Sequence, residues 1–242
     1  MDYIKELKGT ILNLDKSKSI QTIFRDFLSL STYSLAQPFY RSPDIEQKYK
    51  LIINDYTKEQ AVEFSKLLAF LIESLEYKYQ DVLGQLFMEL GFGNAKKGQF
   101  FTPYNVSKMM AEINFYDFES KLKDKDFITL SEPCCGSGGI IIAYAETMKN
   151  HNINFQQKLF VEAIDIDELC FQMAYLQLSL YGIPARVILG DTLAYKFSQI
   201  IYTPMCFING FSWNLKEHEQ AQTKTEQEII KEVIEMKQLT LF

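Results

Sequence analysis

The chain is poor in the residues that would tie it to a metal, a membrane or bare nucleic acid. It has 242 residues, of which two are histidine (His151 and His218) and four are cysteine. Four cysteines do not make a disulfide framework for a chain of this size. The histidines have no paired spacing, and Cys134 and Cys135 are adjacent rather than separated by the usual two residues, so no zinc site is expected. No apolar run reaches the roughly 18 residues that a membrane span needs. The start, "MDYIKELKGT", lacks the apolar core of a signal peptide, and the expected location is the cytoplasm. Positive charge is also short: 25 Lys and Arg against 31 Asp and Glu give a net charge of −6. That balance argues against strong unaided binding to duplex DNA, which normally needs a Lys/Arg-rich face, although a local patch such as Lys96–Lys97 stays open.

What is present is enough apolar residue, 47%, for one large domain or two small ones. The first hundred residues have helical periodicity. In "SIQTIFRDFLSLSTYSLAQPF", Ile23, Phe27 and Leu30 share a face and Pro38 is the expected end. "KEQAVEFSKLLAFLIESLEYKYQDVLGQLFMELGF" continues the pattern up to Gly91 and Gly93. These stripes predict a packed helical core. A further helix, "YNVSKMMAEINF", is expected to start near Pro103. From residue 126 the rhythm changes to short β-rich runs, "FITLSEP", "KLFVEAID" and "ARVILGD", separated by the helical segments "GIIIAYAETMKN" and "DELCFQMAYLQLSLYG". Such alternation predicts an α/β fold with a parallel sheet. "QIIYTPMCFIN" is a candidate fourth strand, with Pro204 favouring a break or an edge. The expected division is a helical region over 1–97, an α/β domain over 98–215 and a charged tail over 216–242.

The stretch "SEPCCGSGG" then falls at the carboxyl end of the first strand, where parallel α/β sheets bind ligands. Gly136, Gly138 and Gly139 allow a sharp turn and a close backbone approach, with N–H groups presented at a helix start. On this reading the cysteines are ordinary loop residues. Asp165 closes the second strand, where a carboxylate can accept both hydroxyl protons of a ribose. Asp191, in "GDTL", closes the third, where a carboxylate can accept from an adenine amino group. The loop–acid–acid series suits any adenosine-bearing cofactor, including a dinucleotide; the lesser alternative for each acid is a solvated strand-end residue or a helix cap.

With "GQFFTP" at 98–103 ahead of this series, the sequence resembles the N6-adenine DNA methyltransferases, in particular the modification subunits of type I restriction systems. The order "GQFFTP", "SEPCCGSGG", "FVEAIDID", "GDTL" follows that family's, and the resemblance covers roughly residues 80–200. It implies a Rossmann-like fold that binds S-adenosylmethionine, preceded by helices. It assigns Phe101, Thr102 and Pro103 to the methionine end, with Gln99 and Phe100 in the same site. It puts Glu132, Pro133, Cys134, Gly136, Ser137 and Gly138 at the centre, Asp165 at the ribose and Asp191 at the adenine, with Ile166 and Thr192 beside them.

The family's catalytic signature, Asn-Pro-Pro followed by an aromatic residue, holds a flipped adenine beside the methyl group. Here the corresponding region is "MCFINGFSWNL", without either proline. Asn209 and Phe211 are the candidate remnants; a plain turn explains "NGF" equally well. The sequence also stops short of the family's remaining strands, which leaves an expected open edge at the fourth strand. The resemblance therefore implies either a methyltransferase that works with a partner specificity subunit on DNA, or an inactive cofactor-binding regulator or mimic of a modification system. Finally, the last five residues, "QLTLF", resemble the pentapeptide with which bacterial proteins bind the sliding clamp. That makes Gln238, Leu239, Leu241 and Phe242 candidate partner contacts; packing back onto the fold is the alternative.

Overall fold

The computed structural model describes residues 2–93, 101–123, 125–209 and 211. Five helices come first: α1 (Tyr3–Leu14), α2 (Ile20–Tyr40), α3 (Pro43–Ile53), α4 (Lys58–Tyr77) and α5 (Val82–Glu89). Side chains that accept from first-turn amides set four of the starts: Asp2, Ser19, Thr57 (in a capping box with Gln60) and Asp81. Two expectations need correction. Pro38 does not end its helix: α2 runs to Tyr40, because a proline in the last turn removes only one intrahelical bond, and Arg41 closes the helix in a left-handed conformation with its N–H on the Gln37 carbonyl. The long periodic run after it is not one helix. It breaks at Lys78, which is extended, and restarts where the Asp81 side chain caps α5. Gly91, at φ 77°, lies just past the end of α5, as the sequence suggests.

After α6 (Tyr104–Phe115) and α7 (Phe118–Leu122) the chain forms β1 (Ile128–Glu132), α8 (Gly139–Asn150), α9 (Phe155–Lys158), β2 (Leu159–Asp165), α10 (Glu168–Leu180), β3 (Ala185–Asp191), β4 (Lys196–Tyr202) and α11 (Pro204–Ile208). The sheet order is β1-β2-β3-β4. The first three strands are parallel, with Ile128 opposite Leu159 and Val161 opposite Ala185. The fourth departs from the expected parallel sheet and pairs antiparallel with β3. The reason is the length of the link: four residues separate Asp191 from Lys196, far fewer than the dozen or so that a parallel crossover needs. Tyr195 takes a left-handed φ of 54° within that turn. The break expected at Pro204 is found: β4, the edge strand of the described sheet, ends at Tyr202, and Pro204 opens α11 at its first position.

Two apolar clusters share α10. Cys170, Met173 and Leu176 pack with α1, α2, α4 and α5, while Phe171, Ala174, Tyr175 and Leu178 pack with α8 and the sheet. A helix covered on both sides needs an apolar surface all round, which explains its run of buried residues from Cys170 to Leu178. Its two buried amides are hydrogen-bonded, as burial demands: Gln172 pairs with Ser29, and Gln177 reaches the site described next. Among the described residues no helix is long and apolar enough to cross a membrane.

Candidate functional site

Because β1, β2 and β3 are parallel, Glu132, Asp165 and Asp191 end on the same side of the sheet. The loop after β1 is held there from three directions. Cys135 N–H donates to the Ile164 carbonyl at 2.8 Å, Gly136 N–H donates to Asp165 Oδ2 at 2.8 Å, and Thr192 Oγ1 donates to the Pro133 carbonyl at 2.8 Å. Within the loop Cys134 N–H donates to Glu132 Oε1 at 3.2 Å. Gly136 and Gly138 have φ of 55° and 91°, a region that side chains rarely adopt. A β-carbon at Gly136 would also come within 3.0 Å of the Phe101 ring. The segment "FTP" therefore lies against the loop, anchored by Phe101 on Phe87 of α5 at 5.1 Å between ring centroids. Phe101, Thr102 and Pro103 line a cavity of about 820 Å3 together with Asp81, Gly84 and Tyr104.

The structure thus gathers Phe101 to Pro103, the loop Glu132 to Gly138 and the strand-end pairs Asp165–Ile166 and Asp191–Thr192, 25 to 91 residues apart in sequence, around one end of the sheet. Gln99 and Phe100 lie outside the described residues. Asp165 also shapes the chain that follows it, since its Oδ1 accepts the Asp167 N–H at 2.9 Å, while Asp167 caps α10. Burial raises the Asp165 carboxyl above its usual range, although the amides of Asp167 and Gly136 pull the other way. Asp191 Oδ1 accepts the Ala194 N–H at 2.9 Å and so shapes the turn into β4. Burial, followed by the Asp165 charge, pushes the thiols of Cys134 and Cys135 up, so neither is the thiolate that a nucleophile or metal ligand needs at neutral pH.

Sequence reasoning missed Asp81 and Gln177. Asp81 is 8% exposed and accepts from Gly84 N–H at 2.9 Å, Gln177 Nε2 at 2.9 Å and Ser137 Oγ at 2.5 Å. Its only sequence signal is a cap-forming Asp three residues before a glycine, a pattern that many helix starts share.

Asn209 and Phe211 are not where a catalytic pair would have to be. The antiparallel course of β4 returns the chain to the amino ends of β1 and β2, so both residues lie at the opposite end of the sheet from the loop. Asn209 Nδ2 donates to the Gln156 carbonyl at 2.5 Å, in the helix that leads into β2. Phe211 is buried against Phe127, just ahead of β1, with centroids 5.0 Å apart, and against Phe160 near the start of β2. The length of β2, about 20 Å at about 3.3 Å per residue, separates them from Asp165. Gln238, Leu239, Leu241 and Phe242 lie outside the described residues.

No curated protein matches the chain. Among solved structures, a proposed class I S-adenosylmethionine-dependent methyltransferase from Listeria monocytogenes is similar, with a TM-score of 0.48 and 13% identity over 80% of this chain and 54% of that one. The chain thus spans about half the length of that protein, a likeness too distant to transfer residue roles. The family model of the N-6 DNA methylases matches residues 79–238, which takes in α5, the "FTP" segment, the loop and both strand-end acids, and the chain belongs to the N-6 DNA methylase family.

Proposed function

We propose that this chain binds S-adenosylmethionine at the loop Glu132 to Gly138 and serves N6-methylation of adenine in DNA within a restriction-modification type of system in the cytoplasm. The observation that carries the reading is the Gly136 junction, where an acid from β2, a left-handed glycine and the Phe101 ring converge. The missing β-carbon lets the Phe101 ring close on the loop, which brings the "FTP" segment, the loop and Asp165 to one place. When bound, the cofactor supplies an electrophilic methyl group. Asp165 accepts from the ribose hydroxyls with the lone pairs that the Gly136 and Asp167 amides leave free, and Asp191 accepts from the adenine amino group. Ile166, which is 70% exposed, and Thr192 border the adenosine, and Phe101 to Pro103 border the methionine end. The charge balance of −6 suits a chain whose DNA contacts come through a partner specificity subunit.

Titration calorimetry with S-adenosylhomocysteine tests the reading. The wild-type chain should bind, and Asp165→Ala should weaken binding roughly tenfold to hundredfold, the scale of one or two lost hydrogen bonds to a charged group. No heat at millimolar ligand would overturn it.

A second reading, a cofactor-binding regulator or mimic without transfer activity, is favoured by the place of Asn209 and Phe211 beyond the amino ends of the strands. The two readings share the cofactor site and part at methyl transfer. A clamp contact through Gln238, Leu239, Leu241 and Phe242 is compatible with both. A peptide of residues 230–242 should bind bacterial sliding clamp at micromolar affinity and lose it when Leu241 and Phe242 become Ala; no binding by the unaltered peptide removes the clamp from the proposal.

A further inference from the structure

We propose that Asp81 is a positioning residue for the cofactor loop, coupling the conformation of the helical region to the shape of the site; this rests on the cofactor reading above. Capping α5 needs only one carboxylate oxygen, and Oδ1 supplies it to Gly84 N–H at 2.9 Å. The second oxygen, Oδ2, is used entirely outside that helix: it accepts the Ser137 hydroxyl at 2.5 Å, between the two left-handed glycines of the loop. Gln177, from the middle of α10, closes the arrangement. Its Nε2 donates both to Asp81 Oδ1 at 2.9 Å and to the Ser137 carbonyl at 2.8 Å, and its Oε1 accepts the Leu83 N–H at 3.1 Å. Ser137 is therefore held at its side chain and at its backbone, by two elements that lie 40 or more residues away on either side of it in sequence.

The packing around the carboxylate is close on every side. A β-carbon at Gly84 would lie 2.1 Å from Asp81 Oδ2 and 2.5 Å from Ser137 Oγ, and one at Gly139 would lie 3.0 Å from Oδ2. All three groups that meet the carboxylate are neutral hydrogen-bond donors, so an acceptor-only side chain satisfies each of them and a hydroxyl or an alkyl group cannot. Such a fully satisfied buried network fixes one arrangement rather than a family of them. The loop it fixes is the one whose Gly136 amide meets Asp165, and Asp81 also lines the cavity that Phe101 to Pro103 share. Movement of α5 is therefore transmitted to the Ser137 hydroxyl through Asp81, and to the Ser137 carbonyl through Gln177, whose Oε1 holds the Leu83 amide of the same helix.

The test uses the full chain with Asp81→Ser, which keeps a capping oxygen for Gly84 but cannot also reach Ser137, with Ser137→Ala, which keeps the cap intact, and with the double variant. Hydrogen exchange on the ligand-free proteins should show faster exchange at Gly136 and Gly138 in both single variants, with the amides of β2 unchanged. S-adenosylhomocysteine affinity should fall roughly tenfold in each, and the double variant should be no worse than either single one, because both cut the same link. A role confined to folding would instead lower the melting temperature and speed exchange across α5 and α10 while leaving the affinity unchanged, and that result overturns the proposal. If wild-type protein binds no ligand, the cofactor reading fails; the exchange measurement then decides alone, and unchanged rates at Gly136 and Gly138 overturn the role given to Asp81.

Discussion

Asp165 and Asp81 are both carboxylates that give their oxygens to backbone or side-chain donors, and burial raises both above the ordinary carboxylate range. For a carboxyl whose folded-state pKa is raised, the folded chain holds a proton where the unfolded chain has already lost it. Its contribution to stability is then fully present below the unfolded value of 3.8 and is lost as the pH rises through the raised folded value. This is opposite to the behaviour of a salt-bridged Asp. Removing the titration at Asp165 isolates the effect: between pH 7 and pH 4.5, the wild type should gain melting temperature relative to Asp165→Asn. A constant difference across that range would show that burial does not govern this carboxyl. Cofactor affinity should move in the other direction, weakening as Asp165 takes up its proton and loses acceptor capacity for the ribose. At Gly84 the expectation is steric. Alanine there drives its β-carbon into Asp81 and Ser137, and chemical denaturation should show a loss of about 1–3 kcal/mol from overpacking. Wild-type stability in Gly84→Ala would mean that α5 can shift without consequence.

The elements that the sequence makes legible are those whose pattern is local. β1, β2, β3, α6 and α8 fall on the predicted runs because a strand or helix buried on a definite face writes its period into the residues. The loop and its two acids are legible for a related reason: each sits where a strand must end, so its place in the site follows from the fold class. β4 and α5 are not legible in this way. The direction of β4 depends on the length of its link, and the break before α5 on one capping side chain. The place of Asn209 and Phe211 was lost with the direction of β4, since reversing one strand moves everything after it to the other end of the sheet. Thr203 anchors the far end of the reversed strand. It is fully buried, its hydroxyl donates to the Ile183 carbonyl at 2.7 Å, and it accepts the Ala185 N–H at 2.9 Å, which ties the end of β4 to the start of β3. Thr203→Val keeps the shape and removes both bonds, so it should cost about 1–3 kcal/mol in denaturant unfolding. No measurable loss would show that another contact sets the course of the chain there.

At the scale of the molecule, the described sheet packs against α8 and α10; no further described strand adjoins β1 or β4, and the Tyr202 N–H of β4 meets the Tyr40 hydroxyl of α2 instead. The described residues that the cofactor reading names converge at the carboxyl ends of three strands. The two residues nominated for holding a target adenine are spent elsewhere, Asn209 on the Gln156 carbonyl and Phe211 in an apolar cluster with Phe160 and Cys206. Catalysis by positioning requires the amino group and the methyl group to meet within about 3–3.5 Å, and a side chain the length of β2 away cannot arrange that. The purified chain alone should therefore transfer no tritiated methyl group from S-adenosylmethionine to adenine in unmethylated genomic DNA. In parallel, Phe211→Ala should lower stability by about 3 kcal/mol, the usual cost of emptying an aromatic site in a core, while leaving S-adenosylhomocysteine affinity unchanged. These two results together assign "NGF" to the structural end of the sheet. Robust incorporation by the chain alone that disappears in Asn209→Ala would instead make this segment an active site, and would require β4 and α11 to take a different course in the working protein.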